Sequence, residues 1–380
     1  MAKEELAKNS LEALKNADQH PVGDVIRKYF SENFENEFIA HVFSSSSNIL
    51  LSILVMTAFA GGTASFLIWL ERKVCARMQV RLGPTRVGPF GLLQSIADGI
   101  KLVFKEMLRP KGADPFIFYL APFLPATASF LVLAVIPFDK NIQVVDIDVG
   151  ALYVIAVSGF GIFGILLGGW ASNSKYSLLG AMRAGAQMIS YEISVGLGLL
   201  LIVMLSGETS LREIVFSQYG TVNNWWIFKL PIFGIIAFIL FLISSTAELN
   251  RGPFDLPEAE SELSAGFHTE YSGITFSMFF LAEFINMFIA GAIGTTFFLG
   301  GFLPFTIGIE GFDNIMFMIP GWAWFFAKTY FIIFLFMWFR WSFPRPRIDQ
   351  LMNLEWKFML PANLLNIIIA GAFLTLGWLL

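Results

Sequence analysis

The chain is predicted to be an all-α polytopic membrane protein, with eight transmembrane helices and an interfacial amphipathic helix in its first cytoplasmic loop. Three observations predict this. Hydrophobic residues make up 56% of the 380 residues, 42 of them Phe, and the mean hydropathy is +0.67. That exceeds the apolar share of soluble domains, so lipid must be the solvent. Apolar runs of roughly 18 to 25 residues, the length that crosses a hydrocarbon core, recur eight times, near 48–70, 116–137, 151–170, 186–206, 230–247, 273–299, 320–339 and 358–380. Lys and Arg gather in alternate loops.

Residues 1–47 read as an N-terminal amphipathic or flexible extension with 5 basic and 8 acidic residues. After the break at Pro21, Val22, Val25, Ile26, Tyr29 and Phe30 form a short stripe suited to the outer membrane surface. No segment has the form of a cleaved signal peptide, so the first span is a permanent anchor. It opens the eight-helix membrane domain, 48–380.

The loop after the first span carries 9 basic residues. Within it Leu92, Leu93, Ile96, Ile100, Val103, Phe104 and Met107 recur at helical spacing, while Gln94, Asp98, Lys101 and Lys105 line the other face. This is a helix for the interface. Preceded by Arg72, Arg81 and Arg86 in a Gly/Pro-rich turn, it could equally be a plain surface anchor or roof an opening for a lipid-soluble substrate.

The third span contains Gly159, Gly161 and Gly164 in GxGxxG order, but it lacks the preceding strand and ribose-binding acid that a nucleotide site needs. Gly164 and Gly168 instead give the GxxxG spacing that lets helices approach closely in lipid.

Orientation follows from the bases. Loops after spans 1, 3, 5 and 7 hold 16 of the 25 Lys and Arg, and those after spans 2, 4 and 6 hold 3. The odd loops should face the cytoplasm and both termini the outside.

The loop after span 5, Ala247 to Tyr271, concentrates six carboxylates, Glu248, Asp255, Glu258, Glu260, Glu262 and Glu270, around the single base Arg251 in a protein only 14% charged. Asp255 as an N-cap, with Pro257 in the first turn and Glu258 at N3, would account for two or three of them locally. The others read as part of a proton or cation path beside the bilayer. Within the spans, Glu192, Glu283 and Lys328 stand out. A charged side chain at the centre of a lipid-embedded helix costs roughly 2.5–3.5 kcal/mol, so the glutamates should face protein or water, whereas Lys328 is placed to snorkel outward. The bland alternative is a protonated Glu making one interhelical hydrogen bond.

Cys75 is the single cysteine, and His20, His41 and His268 fall in the tail or a loop. That excludes an intrachain disulfide, a four-cysteine iron–sulfur site and zinc spacing, and leaves no paired histidines for a haem. No metal site, covalent catalyst or nucleic-acid partner is expected, and redox centres would have to sit in partners.

Four stretches, in order, carry a resemblance. They are ERKVCARMQVRLGPTRVGPFGLLQSIADGIKLVFKE from Glu71, SKYSLLGAMRAGAQMISYEIS from Ser174, the acidic loop from Ala247, and FPRPRIDQLMNLEWKFMLP from Phe343. Together they closely resemble the family of H subunits of bacterial respiratory NADH:quinone oxidoreductase, complex I, counterparts of mitochondrial NADH dehydrogenase subunit 1. The match runs from about Asn48 to the C-terminus. The resemblance implies a membrane subunit that forms the quinone entrance and chamber with partner subunits and couples quinone reduction to proton translocation. It implies a charged set around the first loop, Glu71, Arg72, Arg81, Arg86, Asp98, Lys101 and Glu106, and a coupling chain of Glu192, Glu248, Glu258, Glu260, Glu262, Glu270 and Glu283. It also implies quinone (ubiquinone or menaquinone) as substrate, FMN and iron–sulfur clusters in partners, peripheral quinone-site and antiporter-like membrane subunits as neighbours, and a place in the bacterial inner membrane. Thr85 replaces an expected Asn, Leu249 an expected Thr, and Gly252 a common Ala. Two alternatives stay open: the membrane anchor of a related proton-pumping hydrogenase, and a standalone ion-coupled carrier, against which the absence of an internal repeat argues.

Overall fold

A computed structural model describes residues 37–257 and 264–376. Among them the regular structure is helical, with one isolated bridge between Asp139 and Ile142. The expected surface stripe at residues 22–30 lies outside the described residues, as do Glu258, Glu260 and Glu262.

Helix α1 (Glu37–Met78) begins ahead of the anticipated boundary at residue 48, and its apolar part is Leu50–Met78. The chain then turns sharply. Gly91 has φ +79°, and a Cβ there would lie 2.2 Å from the Pro84 carbonyl oxygen, so the turn closes only around glycine. Trp69 Nε1 of α1 donates to the Phe90 carbonyl at 3.2 Å, which folds the turn back against the span. Helix α2 (Gln94–Phe104) follows, and its apolar residues Ile96, Ile100, Val103 and Phe104 all point outward. Among the described residues they are left about half exposed or more, as an interfacial helix requires.

The second span is broken. Asp114 caps α3 (Pro115–Leu120) by accepting from the amides of Phe116 and Ile117 at 3.0 and 3.2 Å. Pro122 separates it from α4 (Phe123–Leu133) because proline cannot continue the backbone ladder. Helix α5 is Gly150–Ala171 and α6 is Lys175–Ser206, whose 32 residues exceed the anticipated 186–206. α6 ends at Gly207, φ +72°, whose amide donates to Val203 O at 2.9 Å. The GxxxG reading holds: a Cβ on Gly164 would meet Pro125 Cδ at 2.3 Å, and one on Gly168 would meet Phe279 at 3.0 Å.

Short helices α7 (Leu211–Phe216) and α8 (Trp226–Lys229) lead to α9 (Pro231–Glu248). Then come α10 (Gly273–Phe298), α11 (Glu310–Met318), α12 (Gly321–Ser342), α13 (Ile348–Leu354), a π-helical turn (Glu355–Met359) and α14 (Leu360–Thr375). Seven helical stretches among the described residues are long and apolar enough to cross a membrane, and the anticipated fifth span is a shorter apolar helix, Ile232–Glu248. At about 1.5 Å per residue its 18-residue parent helix rises about 27 Å, just under a typical hydrocarbon core. Pro231 opens it, and Asn250, at φ +51°, ends it.

The loops form two layers. On one side Arg340 pairs with Glu71, Arg345 with Asp255, and the Leu108 amide donates to Ser272 Oγ at 3.0 Å. On the other, the Ala151 amide donates to Thr209 O, the Val222 amide to Thr306 O and the Gly300 amide to Gln218 Oε1, each at 2.9 Å. The serpentine path thus gathers the Lys/Arg-rich odd loops on one face. α10 is the central helix, packed against α1, α4, α7, α9 and α12, and its Phe288 joins Phe59, Phe138, Phe325, Phe326 and Tyr330 in a cluster of edge and stacked rings.

Candidate functional site: two cavities and a buried charge cluster

Just inside the Lys/Arg-rich loop layer lies a cavity of ≈ 490 Å³ whose walls include Glu71, Arg72, Cys75, Arg81, Arg251, Glu283 and Arg340. Its floor is a compact ion cluster. Glu71, near the end of α1, is held by Arg251 Nη1 at 2.9 and 2.7 Å from its two oxygens and also by Arg340 Nη1. Arg251 Nε reaches Glu283 Oε1 on α10 at 2.7 Å, and its guanidinium lies over Phe284, 4.3 Å from the ring centroid. Two carboxylates and two guanidiniums therefore balance, which is what makes their burial tolerable.

Beside it, Arg72 Nη1 pairs with Asp98 Oδ2 at 2.6 Å, and Gln94 Nε2 donates to Asp98 Oδ1 at 3.0 Å. This ties α2 to the end of α1. Partial burial pushes the Asp98 carboxyl up, but the hydrogen bonds from Arg72 and Gln94 and the charges of Arg72 and Lys101 outweigh it and hold the group below its ordinary value. Arg81 Nε donates to Gln79 Oε1 at 2.7 Å, and its Nη2 lies 3.8 Å from Cys75 Sγ. Arg86, Lys101 and Glu106 are exposed in the loop and line neither cavity.

A second, smaller cavity of ≈ 70 Å³ lies deeper among α4, α5, α6, α9 and α10, and Glu192 and Glu248 share it with Ser129, Ser158, Ser245 and Asn286. Ser129 Oγ donates to Asn286 Oδ1 at 2.6 Å across the helix interface. The volume admits a few waters, and the lining supplies the polar partners that buried water needs. Gly159, discarded above as part of a nucleotide motif, has its own part here. A Cβ at that position would sit 2.4 Å from Glu192 Oε1, so the missing side chain makes room for the carboxyl.

The two cavities adjoin along the chain. On α10, Glu283 lines the first and Asn286, one turn on, lines the second; at the end of α9, Glu248 and Leu249 line the second while Asn250 and Arg251 line the first. The structure therefore regroups the predicted residues. Glu283, expected among the coupling acids, shares Arg251 with Glu71, expected in the first-loop set. Glu270 lines neither cavity. Asp255 pairs with Arg345 Nη2 at 3.1 Å. Lys328 does not snorkel: its ammonium donates to the carbonyls of Leu299, Gly301 and Leu303 at 2.7, 3.0 and 2.6 Å and lies 4.1 Å from the Trp225 ring centroid. The carbonyls just past the end of α10 offer it better company than lipid headgroups.

Sequence reasoning missed Arg251, Arg340 and Asn286 as site residues. A signal existed for the first, as the lone base in an acid-rich loop. Arg340 weighed only in the orientation count, and Asn286 is a neutral residue in an apolar helix.

Residues 50–371 match the family model described as NADH dehydrogenase. The chain is 51% identical over 316 residues to the H subunit of the NADH-quinone oxidoreductase of Bacteroides thetaiotaomicron, covering 83% of this chain and 87% of that relative. The chain belongs to the NADH dehydrogenase family. The corresponding protein of Bacteroides fragilis is 49% identical over 330 residues, 87% of this chain and 91% of its own length, and one of those of Geobacter sulfurreducens is 47% identical over 349 residues, 87% and 95% respectively. The family match begins at the apolar start of α1 and closes within α14, so both cavities fall inside it.

Proposed function

We propose that this chain, as the H subunit of an NADH-quinone oxidoreductase, forms the quinone entrance and chamber with its partner subunits and passes the charge change of quinone reduction into the membrane through glutamates. The observation that carries the reading is the junction of the two cavities at α10 and the end of α9, which sets the Glu71–Arg251–Glu283 cluster next to the Glu192–Glu248 pair.

The larger cavity has the volume of an ordinary small-molecule site. The outward apolar face of α2 suits entry of a lipid-soluble head group at the membrane surface. Quinone reduction draws protons and shifts charge in the chamber. A balanced ion cluster at its floor would re-pair in response, and Glu192 and Glu248, half-buried in a cavity with no base in its lining, would take up or release protons. Glu258, Glu260, Glu262 and Glu270 would extend the acidic path along the loop. Flavin and iron–sulfur centres belong to partner subunits, and the partners are both peripheral and membrane-embedded. The Lys/Arg-rich face is cytoplasmic, the membrane is the bacterial inner membrane, and residues 1–47 lie outside as an extension of the membrane domain 48–380.

Glu248→Gln in the intact complex tests the relay. It is nearly isosteric but cannot ionise, so the complex should assemble while quinone reduction and proton movement fall together, several-fold, with Glu248→Asp retaining more of both. An assembled Gln variant with full reductase activity and full pumping would remove Glu248 from any relay.

A further inference from the structure

Glu355 is a carboxylate that the proposed route does not use. It is fully buried, and among the described residues no Lys or Arg forms an ion pair with it. Ser194 Oγ of α6 donates to its Oε1, while its Oε2, also enclosed, has no hydrogen-bond partner among the described residues. It opens the π-helical turn between α13 and α14, a form of helix that recurs at functional sites because it re-aims a side chain at a cost in regular packing.

We propose that Glu355 is a further proton-carrying group of the coupling machinery, joined to it through α6. The inference rests on the reading given above. A carboxyl enclosed without a cation neutralises by holding its proton. Here one oxygen is engaged by Ser194 and the other by no group among the described residues, so a proton carried on Oε2 would not be locked into a bond.

The link to α6 has two rungs. Tyr191 OH donates to Leu351 O at 3.0 Å and Ser194 Oγ to Glu355. Tyr191 and Ser194 share one face of α6 at i, i+3, and Leu351 and Glu355 follow at i, i+4 on the partner segment. Glu192, which lines the deeper cavity, belongs to the same turn of α6 but faces Gly159 of α5 and not the π turn. A shift of α6 that accompanies a change of charge at Glu192 would move Ser194, and with it the hydrogen bond to the Glu355 carboxyl. The step is a proton transfer alone: the Oε2–H bond breaks as an O–H bond forms on an ionised carboxylate of the relay, Glu192 or Glu248, and the reverse transfer from that carboxyl restores the neutral Glu355.

A purely packing role predicts different behaviour, because Gln has the shape of the neutral acid and still accepts from Ser194. The test is made in the intact complex, with Glu355→Gln, Glu355→Asp and, as reference, Glu192→Gln, reading quinone reduction, proton pumping and the redox-induced infrared signal of protonated carboxyls. Glu355→Gln should assemble, lose a carboxyl band and lower reduction and pumping together several-fold, and Asp should recover part of both. Full activity with an unchanged infrared spectrum in Glu355→Gln, beside a defective Glu192→Gln, would overturn the proposal and leave the relay standing. Full activity in both variants would overturn the relay as well. Should Glu355→Gln fail to assemble, Ser194→Ala decides: it keeps the carboxyl and removes its one hydrogen bond among the described residues, so the redox-linked band should shift, and an unmoved band would refute the assignment.

Discussion

Gly159→Ala is a substitution of one methyl group, and its expected effect can be worked from the geometry. The new Cβ would lie 2.4 Å from Glu192 Oε1 and 3.2 Å from both Cδ and Oε2, where ordinary contact begins at 3.4 Å. The backbone of α5 is held on its other side by the close approach of Gly164 to Pro125, so the carboxyl must move by about 1 Å into the small cavity. A long flexible side chain makes this move cheaply, and the stability loss should be at the low end of overpacking, about 1 kcal/mol. Function should suffer more. Misplacement of a working group by about 1 Å can cost on the order of 100-fold, and with room to relax we expect about a tenfold loss of coupled quinone reduction and pumping. The assay is a cycle in the intact complex: wild type, Gly159→Ala, Glu192→Gln and the double variant. If the methyl acts through Glu192, it costs little in the Gln background, and the two losses are strongly non-additive. Two results would refute the reasoning: full activity in Gly159→Ala, or the same loss from the methyl whether or not Glu192 can ionise.

Arg251→Gln should weaken assembly or thermal stability, since removing one member of a buried pair costs about 3–5 kcal/mol, and Arg340 can still hold Glu71; on that ground the loss should be on the order of 2 kcal/mol, and a Tm unchanged in the detergent-solubilised complex would contradict it. Asp98 is held below its ordinary value, so its pairing with Arg72 stabilises the first loop above that ordinary value and is lost as pH falls through the depressed one. Because the pair is solvent-accessible, the effect should stay below about 1 kcal/mol; protease sensitivity of the loop should rise on acidification in wild type and be high already in Asp98→Asn at neutral pH. Single cysteines placed near Arg77 and Arg345, in a background with Cys75 replaced, should label from the cytoplasmic side only, and labelling of one but not the other would break the common loop layer.

The membrane architecture was legible because it follows from composition and length. Seven of the anticipated spans recur as helices of spanning length, and the amphipathic helix lies where its periodicity put it. The less regular features have local causes that a hydropathy pattern does not carry. Pro122 splits the second span, and the π turn carries the last helix back to Ile348, well before the expected start at 358. The site was legible as a set of residues and illegible as a set of partnerships. Glu283 and Glu71 are 212 positions apart, and only the return of α10 beside α1 brings both to Arg251. Gly159 was read from its motif alone, and its use depends on which side chain α6 places opposite. Lys328 was judged by its depth, whereas the carbonyls that engage it come from the chain that follows α10.

The contrast between the two cavities bears on how charge could travel between them. In the first, each carboxylate has a guanidinium, and a balanced set is held firmly: removing or adding one charge leaves a partner exposed in a poorly screened site. In the second, two carboxyls face one small, mainly apolar cavity with no base in the lining, where two like charges would repel strongly. On the proposed reading, negative charge arriving at the quinone competes with Glu71 and Glu283 for Arg251 and Arg340, and whichever carboxylate loses its guanidinium must find a proton. Glu283 is the one placed to do so, since Asn286 one turn along α10 opens onto the Glu192–Glu248 cavity, while Glu71 keeps Arg340 beside it. Glu283→Gln should therefore disturb coupling in a way that Glu71→Gln does not. Loss of Glu283 breaks the step between the cavities and should lower pumping with quinone reduction at unchanged quinone affinity, whereas loss of Glu71 takes the carboxylate from Arg340, leaves Arg251 to Glu283 and should first change the KM for quinone. Equal effects of the two substitutions on both quantities would mean that the cluster acts only as a structural brace.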